Sequence, residues 1–119
     1  MQEKWALLGI HDEGVQSSIE RYLEYKEYEY HSVNSVDDLI IHARDETYSV
    51  VIMDANFKNP GSTDLSPVRS VYAILKQRIS EGTVRLAAFT ARKDAVELGK
   101  KEGLPVVDKL RFNLVDYIK

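Results

Sequence analysis

Four residues able to do chemistry stand at the ends of short apolar runs. Asp12 follows Trp5-Ala6-Leu7-Leu8-Gly9-Ile10-His11, Asp54 follows Val50-Val51-Ile52-Met53, Thr90 follows Val84-Arg85-Leu86-Ala87-Ala88-Phe89, and Lys109 follows Pro105-Val106-Val107-Asp108. Continuous apolar runs bounded by turn chemistry read as strands buried on both faces, the kind found inside parallel sheets. In such sheets reactive groups collect just beyond the carboxyl ends of the strands. Two carboxylates, a hydroxyl and an amine brought there would form one site. If Asp12 and Asp54 lay about 4 Å apart, they would repel by about 4 kcal/mol at an effective dielectric near 20. The pocket therefore needs positive charge. Lys109 can supply one unit, and a hard divalent ion held by carboxylates, a carbonyl and waters can supply more. A carboxylate so placed can attack phosphorus to give an acyl phosphate, with metal, ammonium and hydroxyl meeting the developing oxygen charge.

The elements that must position these groups follow in order along the chain. After the first strand, Val15, Ile19, Tyr22 and Leu23 recur at helical spacing, and Tyr28 to Val33 alternates as a half-exposed strand. Ser35-Val36-Asp37-Asp38 resembles a capping box with Asp in the Glu position, and Val36, Leu39, Ile40 and Ala43 continue a helical stripe. The Asp54 strand, Ser49 to Asn56, comes next, then a polar stretch from Asn56 to Pro67. Ser66-Pro67 predicts a helix start with an N-cap hydroxyl and proline at the first helical position. Gly82 and Gly103 predict the ends of two helices, and Asn113 predicts a cap for a last turn or two carrying Leu114, Tyr117 and Ile118. Strand and helix thus alternate five times. The expected fold is α/β, a doubly wound five-stranded parallel sheet with helices on both faces, a (βα)5 three-layer sandwich.

Composition narrows the function classes. The 119 residues carry a net charge of −3, 44% apolar and 29% charged residues, and no cysteine. That excludes disulfide scaffolds, thiol catalysis and Cys-ligated zinc. No basic run points to nucleic acid, and no apolar stretch approaches the ~20 residues that span a bilayer. Without a signal-peptide core at the N-terminus, a cytoplasmic protein of one domain over residues 1–119 is expected, without an effector domain, nucleic-acid partner or membrane.

Four segments together, Ile10-His11-Asp12-Glu13, Val51-Ile52-Met53-Asp54, Phe89-Thr90-Ala91 and Val107-Asp108-Lys109, resemble the signatures of the response-regulator receiver domain, the CheY-like family. They fall in the family's order and spacing over essentially the whole chain. The resemblance implies that Asp54 is the phosphoacceptor, charged by a sensor histidine kinase, a phosphotransfer protein or a small phosphodonor. It implies Mg²⁺, with Mn²⁺ as a substitute, held by Asp12, Asp54 and the backbone carbonyl of Asn56, with Glu13 as a further candidate. Thr90 would swing to the phosphoryl group and Lys109 would pair with it. Output would pass in trans through the surface of the fourth helix, fifth strand and last helix. The only catalysis implied is the chain's own phosphorylation and dephosphorylation, and Asn56 and Arg92 occupy positions that tune the dephosphorylation.

Several positions depart from the family pattern. His11 replaces the first acid of the usual pair, and an imidazole is a poor partner for a hard ion. Val106 stands where an aromatic switch residue is expected, Leu110 replaces the usual proline after the lysine, and the stretch after Asp54 is longer than usual. These departures support an alternative, a pseudo-receiver acting as a phosphorylation-independent interaction module. A phosphatase of the haloacid-dehalogenase type would want an acid where Asn56 stands, and no glycine-rich phosphate loop exists. Simpler roles also stand open: Asp54 ending a strand, Asp12 and Glu13 favouring a helix N-terminus, Thr90 capping a helix, and Lys109 solvated at the surface.

Overall fold

Short apolar runs alternate with amphipathic stretches, and the computed structural model, which describes residues 4–57 and 64–118, turns that alternation into strands and helices. The order is β1 (Trp5–Gly9), α1 (Glu13–Tyr25), β2 (Glu29–Ser32), α2 (Val36–Ala43), β3 (Tyr48–Asp54), α3 (Ser66–Glu81), β4 (Arg85–Thr90), α4 (Lys93–Glu102) and β5 (Val106–Asp108). All strand pairs are parallel, in the order β2-β1-β3-β4-β5. This is the expected doubly wound sheet. Its order reverses at β1 and β3, the topological switch point where such folds open a crevice.

Alternation along the buried strands divides the core into two layers. Leu7, Val51, Met53, Leu86 and Ala88 face α2, α3 and α4, joining Leu39, Val68, Val71, Leu75 and Ala95. Ala6, Leu8, Val50, Ile52 and Phe89 face the other way and pack with Ile19 and Leu23 of α1 and with Ile118. A one-residue slip of any central strand would exchange these faces, so the two cores fix the register. The register in turn fixes which strand-end residues meet.

Local chemistry sets the helix ends. Ser35 accepts from the Asp38 N–H at 3.1 Å to cap α2, as its sequence predicts. Gly82 and Gly103 close α3 and α4 with φ of 77° and 73°, a region costly for residues with a Cβ. The start of α3 differs from expectation. Ser66 is its first helical residue and Leu65 occupies the cap position. Asp64 is the acceptor, taking the Ser66 N–H at 2.9 Å and the Ser66 hydroxyl at 2.6 Å. Residues 58–63 of the long stretch before α3 lie outside the described residues.

The second difference is at the C-terminal end. Asn113 caps a last turn, Leu114–Asp116, as its sequence predicts, but that turn is 3-10 rather than α-helical, and a further 3-10 turn, Lys109–Arg111, precedes it. Asp108 accepts from Leu110 N–H at 2.9 Å and Asn113 accepts from Val115 N–H at 3.0 Å. Such Asx turns offer the backbone an alternative to the helical ladder, and Phe112 between them is extended. The expected output surface of fourth helix, fifth strand and last helix therefore lacks an α-helical third member among the described residues.

Candidate functional site

The register brings the strand ends side by side. Gly9 of β1 lies beside Met53 of β3, Asp54 beside Phe89 of β4, and Thr90 beside Asp108 of β5. His11, Asp12, Asp54, Asn56, Phe89, Thr90, Ala91 and Lys109 line one cavity of about 260 Å³. Asp12, Asp54, Asn56, Thr90 and Lys109 thus come together at the switch point. Glu13 does not line this cavity; it begins α1 and is exposed. Arg92 sits at the N-cap position of α4 and pairs with Asp94 at 3.0 Å.

Asp54 ends β3 as a half-buried carboxylate. The backbone N–H of His11 donates to its Oδ2 at 2.5 Å. His11 thus bonds Asp54 through its main chain, a donor that any residue except proline would supply. Burial pushes the Asp54 carboxyl above its ordinary pKa, opposed by that N–H and by the nearby Lys109 and His11 side chains, while Asp12 pushes it up further. Asp12 moves the opposite way. It is the N-cap of α1, its Oδ1 accepting from Gly14 and Val15 N–H at 2.8 and 3.1 Å. These two bonds, first Val15 and then Gly14, hold its carboxyl below the usual range, with help from Lys109 and His11. Two carboxylates pushed apart in this way take different roles. The exposed one holds its negative charge more readily than a free carboxylate and the buried one less readily.

Lys109 reaches the cavity from beyond β5. Its Nζ stands 5.6 Å from the centre of the Phe89 ring, a cation-π distance. Phe89 is therefore part of the site as a platform that places the ammonium, a role its sequence shows only as an apolar residue before Thr90. Thr90 Oγ1 donates to Asn56 Oδ1 at 2.9 Å and accepts from Arg92 N–H at 3.1 Å. The second bond closes a turn before α4, whose N-cap is Arg92, so Thr90 is not the helix cap its sequence allowed. The first gives the Asn56 side chain a structural partner in Thr90 that its sequence does not reveal. The sequence shows only a polar residue between Ala55 and Phe57, both buried.

Among the described residues no three His, Cys, Asp or Glu side chains group as metal ligands. Two carboxylates and the Asn56 carbonyl remain, all hard oxygen donors, and the α1 cap engages only Oδ1 of Asp12. Mg²⁺ is commonly held by one or two carboxylates with waters and substrate phosphate completing its shell. The donor set fits such an ion, held thinly. A second, more apolar cavity of about 620 Å³ runs between α1 and the C-terminal turns, lined by Val15, Ile19, Tyr22, Phe112 and Leu114, and shares Asp12, Phe89 and Lys109 with the first.

No protein-family profile matches the chain, and no curated protein matches it by sequence. Solved structures do. The receiver domain of sensor histidine kinase PA1611 from Pseudomonas aeruginosa PAO1, with a magnesium ion coordinated in its active site cleft, superposes with a TM-score of 0.68 at 20% identity, over 96% of this chain and 90% of that one. Chemotaxis protein CheY4 of Vibrio cholerae gives 0.63 at 17% identity, over 93% and 89%. A de novo designed Rossmann 2x3 protein gives 0.56 at 14% identity, over 91% and 78%. Since a designed scaffold shares the architecture, the likeness speaks for the fold, and function must be argued from the site. The fold of this chain is that of the CheY-like response-regulator receiver domains.

Proposed function

We propose that the chain is a phosphorylatable receiver of two-component signalling, with Asp54 as acceptor. The observation that carries this reading is the shared cavity in which Asp54 meets Asp12, Thr90 and Lys109 at the switch point. An Asp54 carboxylate oxygen attacks the phosphorus of a phosphohistidine or acyl phosphate donor. The new O–P bond forms as the donor's P–N or P–O bond breaks, and the leaving group departs with the electron pair. Water later cleaves the acyl phosphate, returning Asp54 and inorganic phosphate. The His11 N–H holds Asp54 Oδ2, which orients the carboxylate and leaves Oδ1 to attack. Lys109 neutralises charge gathering on the phosphoryl oxygens, and Thr90 supplies a hydroxyl donor to one of them. Asp12, Asp54 and the Asn56 carbonyl would hold Mg²⁺ or Mn²⁺, which supplies further neutralisation of the phosphoryl oxygens.

The phosphodonor protein, a sensor histidine kinase or phosphotransfer protein, approaches along the apolar cavity beside α1, because that cavity opens onto Asp12 and Lys109. Output passes in trans to another protein. The experiment is incubation with acetyl phosphate and Mg²⁺, with intact mass read for wild type and Asp54→Asn. A gain of one phosphoryl group on wild type alone is expected. No gain at any Mg²⁺ or Mn²⁺ concentration would favour the pseudo-receiver, a reading supported by the imidazole of His11 at the usual acid position and by the thin ligand set.

A further inference from the structure

Asn56 and Thr90 are the buried polar side chains among the described residues, each 5% exposed, and they are bonded to each other. A threonine hydroxyl has one proton to give. While Asn56 Oδ1 takes it at 2.9 Å, no oxygen in the acceptor cavity can. The same amide reaches the other way. Its Nδ2 donates to the Asp64 carbonyl at a longer 3.4 Å. Asp64 in turn accepts from Ser66 at the start of α3, and Leu65 beside it is buried and accepts from Arg69 N–H at 2.9 Å. Arg69 then grips Glu102 of α4 with two bonds of 2.7 and 2.6 Å. Hydrogen bonds joined through chain neighbours thus link the Thr90 hydroxyl to the first turn of α3 and on to α4.

The other bond of Thr90, from Arg92 N–H, leads to the start of α4, while toward β5 the packing is apolar. Val106 of β5 is buried and β-branched, so it has little rotamer freedom. It packs so tightly on α4 that a Cβ added to Gly99 would lie 2.6 Å from its own. An aliphatic side chain locked in this way has no ring to turn and no hydrogen bond to trade.

We propose that the Asn56 side chain is the positioning residue for Thr90, holding its hydroxyl away from Asp54 in the unmodified protein, and that its release on phosphorylation is read at the first turn of α3. This rests on Asp54 being the acceptor. When Thr90 turns to a phosphoryl oxygen it leaves Asn56 Oδ1 without its donor in a buried place, an expensive state. The amide must then find new partners, and its weaker contact, the one to Asp64, is the one that gives. The start of α3 is loosened, and the surface presented there by α3 and Arg69 becomes the signal.

Hydrogen exchange read by mass spectrometry on the full chain tests this. Peptides covering residues 64–72 report the α3 start, 104–112 report β5, and 50–53 serve as internal reference. Before any phosphorylation, Thr90→Val and Asn56→Ala should exchange about five- to tenfold faster than wild type at the α3 start, the change expected for loss of one buried hydrogen bond from a local opening. Thr90→Ser, which keeps the hydroxyl, should restore the wild-type rate. Acetyl phosphate with Mg²⁺ should raise the same peptide in wild type and leave 104–112 unchanged. Unaltered exchange at the α3 start in both variants, or a phosphorylation response confined to 104–112, would overturn the proposal. Absence of a phosphoryl adduct on wild type overturns the acceptor reading and the release step with it. The comparison of unmodified variants still decides whether Asn56 and Thr90 hold α3.

Discussion

The two flanks of the cleft are built from different chemistry. On the β1–β3 flank every functional side chain is hydrogen-bonded: Asp12 to the start of α1, Asp54 to the His11 N–H, Asn56 to Thr90 and Asp64. On the β5 flank the side chains nearest the cleft make apolar and aromatic contacts. Val106 is locked against Gly99, Lys109 stands over Phe89, and Phe89, Phe112 and Tyr117 stack with ring centres 5.3 Å apart in each step. Beyond them Leu110 is 87% exposed and the chain continues in 3-10 turns. Accepting a group and passing the signal on are therefore separable demands. The first needs charge and donors at fixed places, which the polar flank has. The second needs a side chain with two arrangements, and the β5 flank is packed for one.

Lys109 is where the flanks meet, and its removal should give the largest effect. Lys109→Ala should slow phosphorylation by acetyl phosphate about a hundredfold, the usual loss for one charged donor at a transition state, measured as the rate of adduct formation. A much smaller loss would move Lys109 wholly to the apolar flank. Gly99→Ala probes that flank alone. Overpacking against Val106 should cost about 1–3 kcal/mol in urea unfolding, with the phosphorylation rate preserved in the fraction that remains folded.

On the polar flank, Asp12 has two duties that substitution can part. Asp12→Ala should lower the melting temperature by several degrees through loss of the α1 cap, whereas Asp12→Asn keeps a capping oxygen and should melt near wild type. Both should weaken Mg²⁺ binding. Equal melting temperatures for the two variants would deny the cap its importance.

The smallest effect concerns the charge of Asp54. Burial raises its folded pKa above the unfolded value, so between those two values the folded chain binds more protons. Its contribution therefore makes stability fall as pH rises through that window. Without divalent metal, Asp54→Asn should be more stable than wild type at neutral pH. The gap should close as pH falls below about 4, the ordinary carboxylate range. Urea midpoints across pH check this, and a gap that widens in acid would contradict it.

Much of this was legible in the sequence because the governing signals are local or periodic. Buried runs ending in polar residues mark β1, β3 and β4, Ser35 and Asp38 mark the start of α2, and glycine at 82 and 103 marks two helix ends. Expectation failed where side chains compete with the backbone. Leu65 rather than Ser66 stands at the cap position of α3, with Asp64 bonding the Ser66 N–H, and the Asx turns at Asp108 and Asn113 give the last segment 3-10 rather than α-helical form. The site was legible as a set of strand-end residues but not as a network. That Asn56 bonds Thr90, or that His11 acts through its N–H, depends on register and on main-chain direction, which residue identity does not encode.

The acceptor itself admits the most direct test. After treatment with acetyl phosphate and Mg²⁺, borohydride reduces an aspartyl phosphate to homoserine, and peptide mapping locates it. The account predicts homoserine at position 54 in wild type and none in Asp54→Asn. Homoserine at another acid, or an unmodified Asp54 in protein that has gained a phosphoryl group, would contradict it.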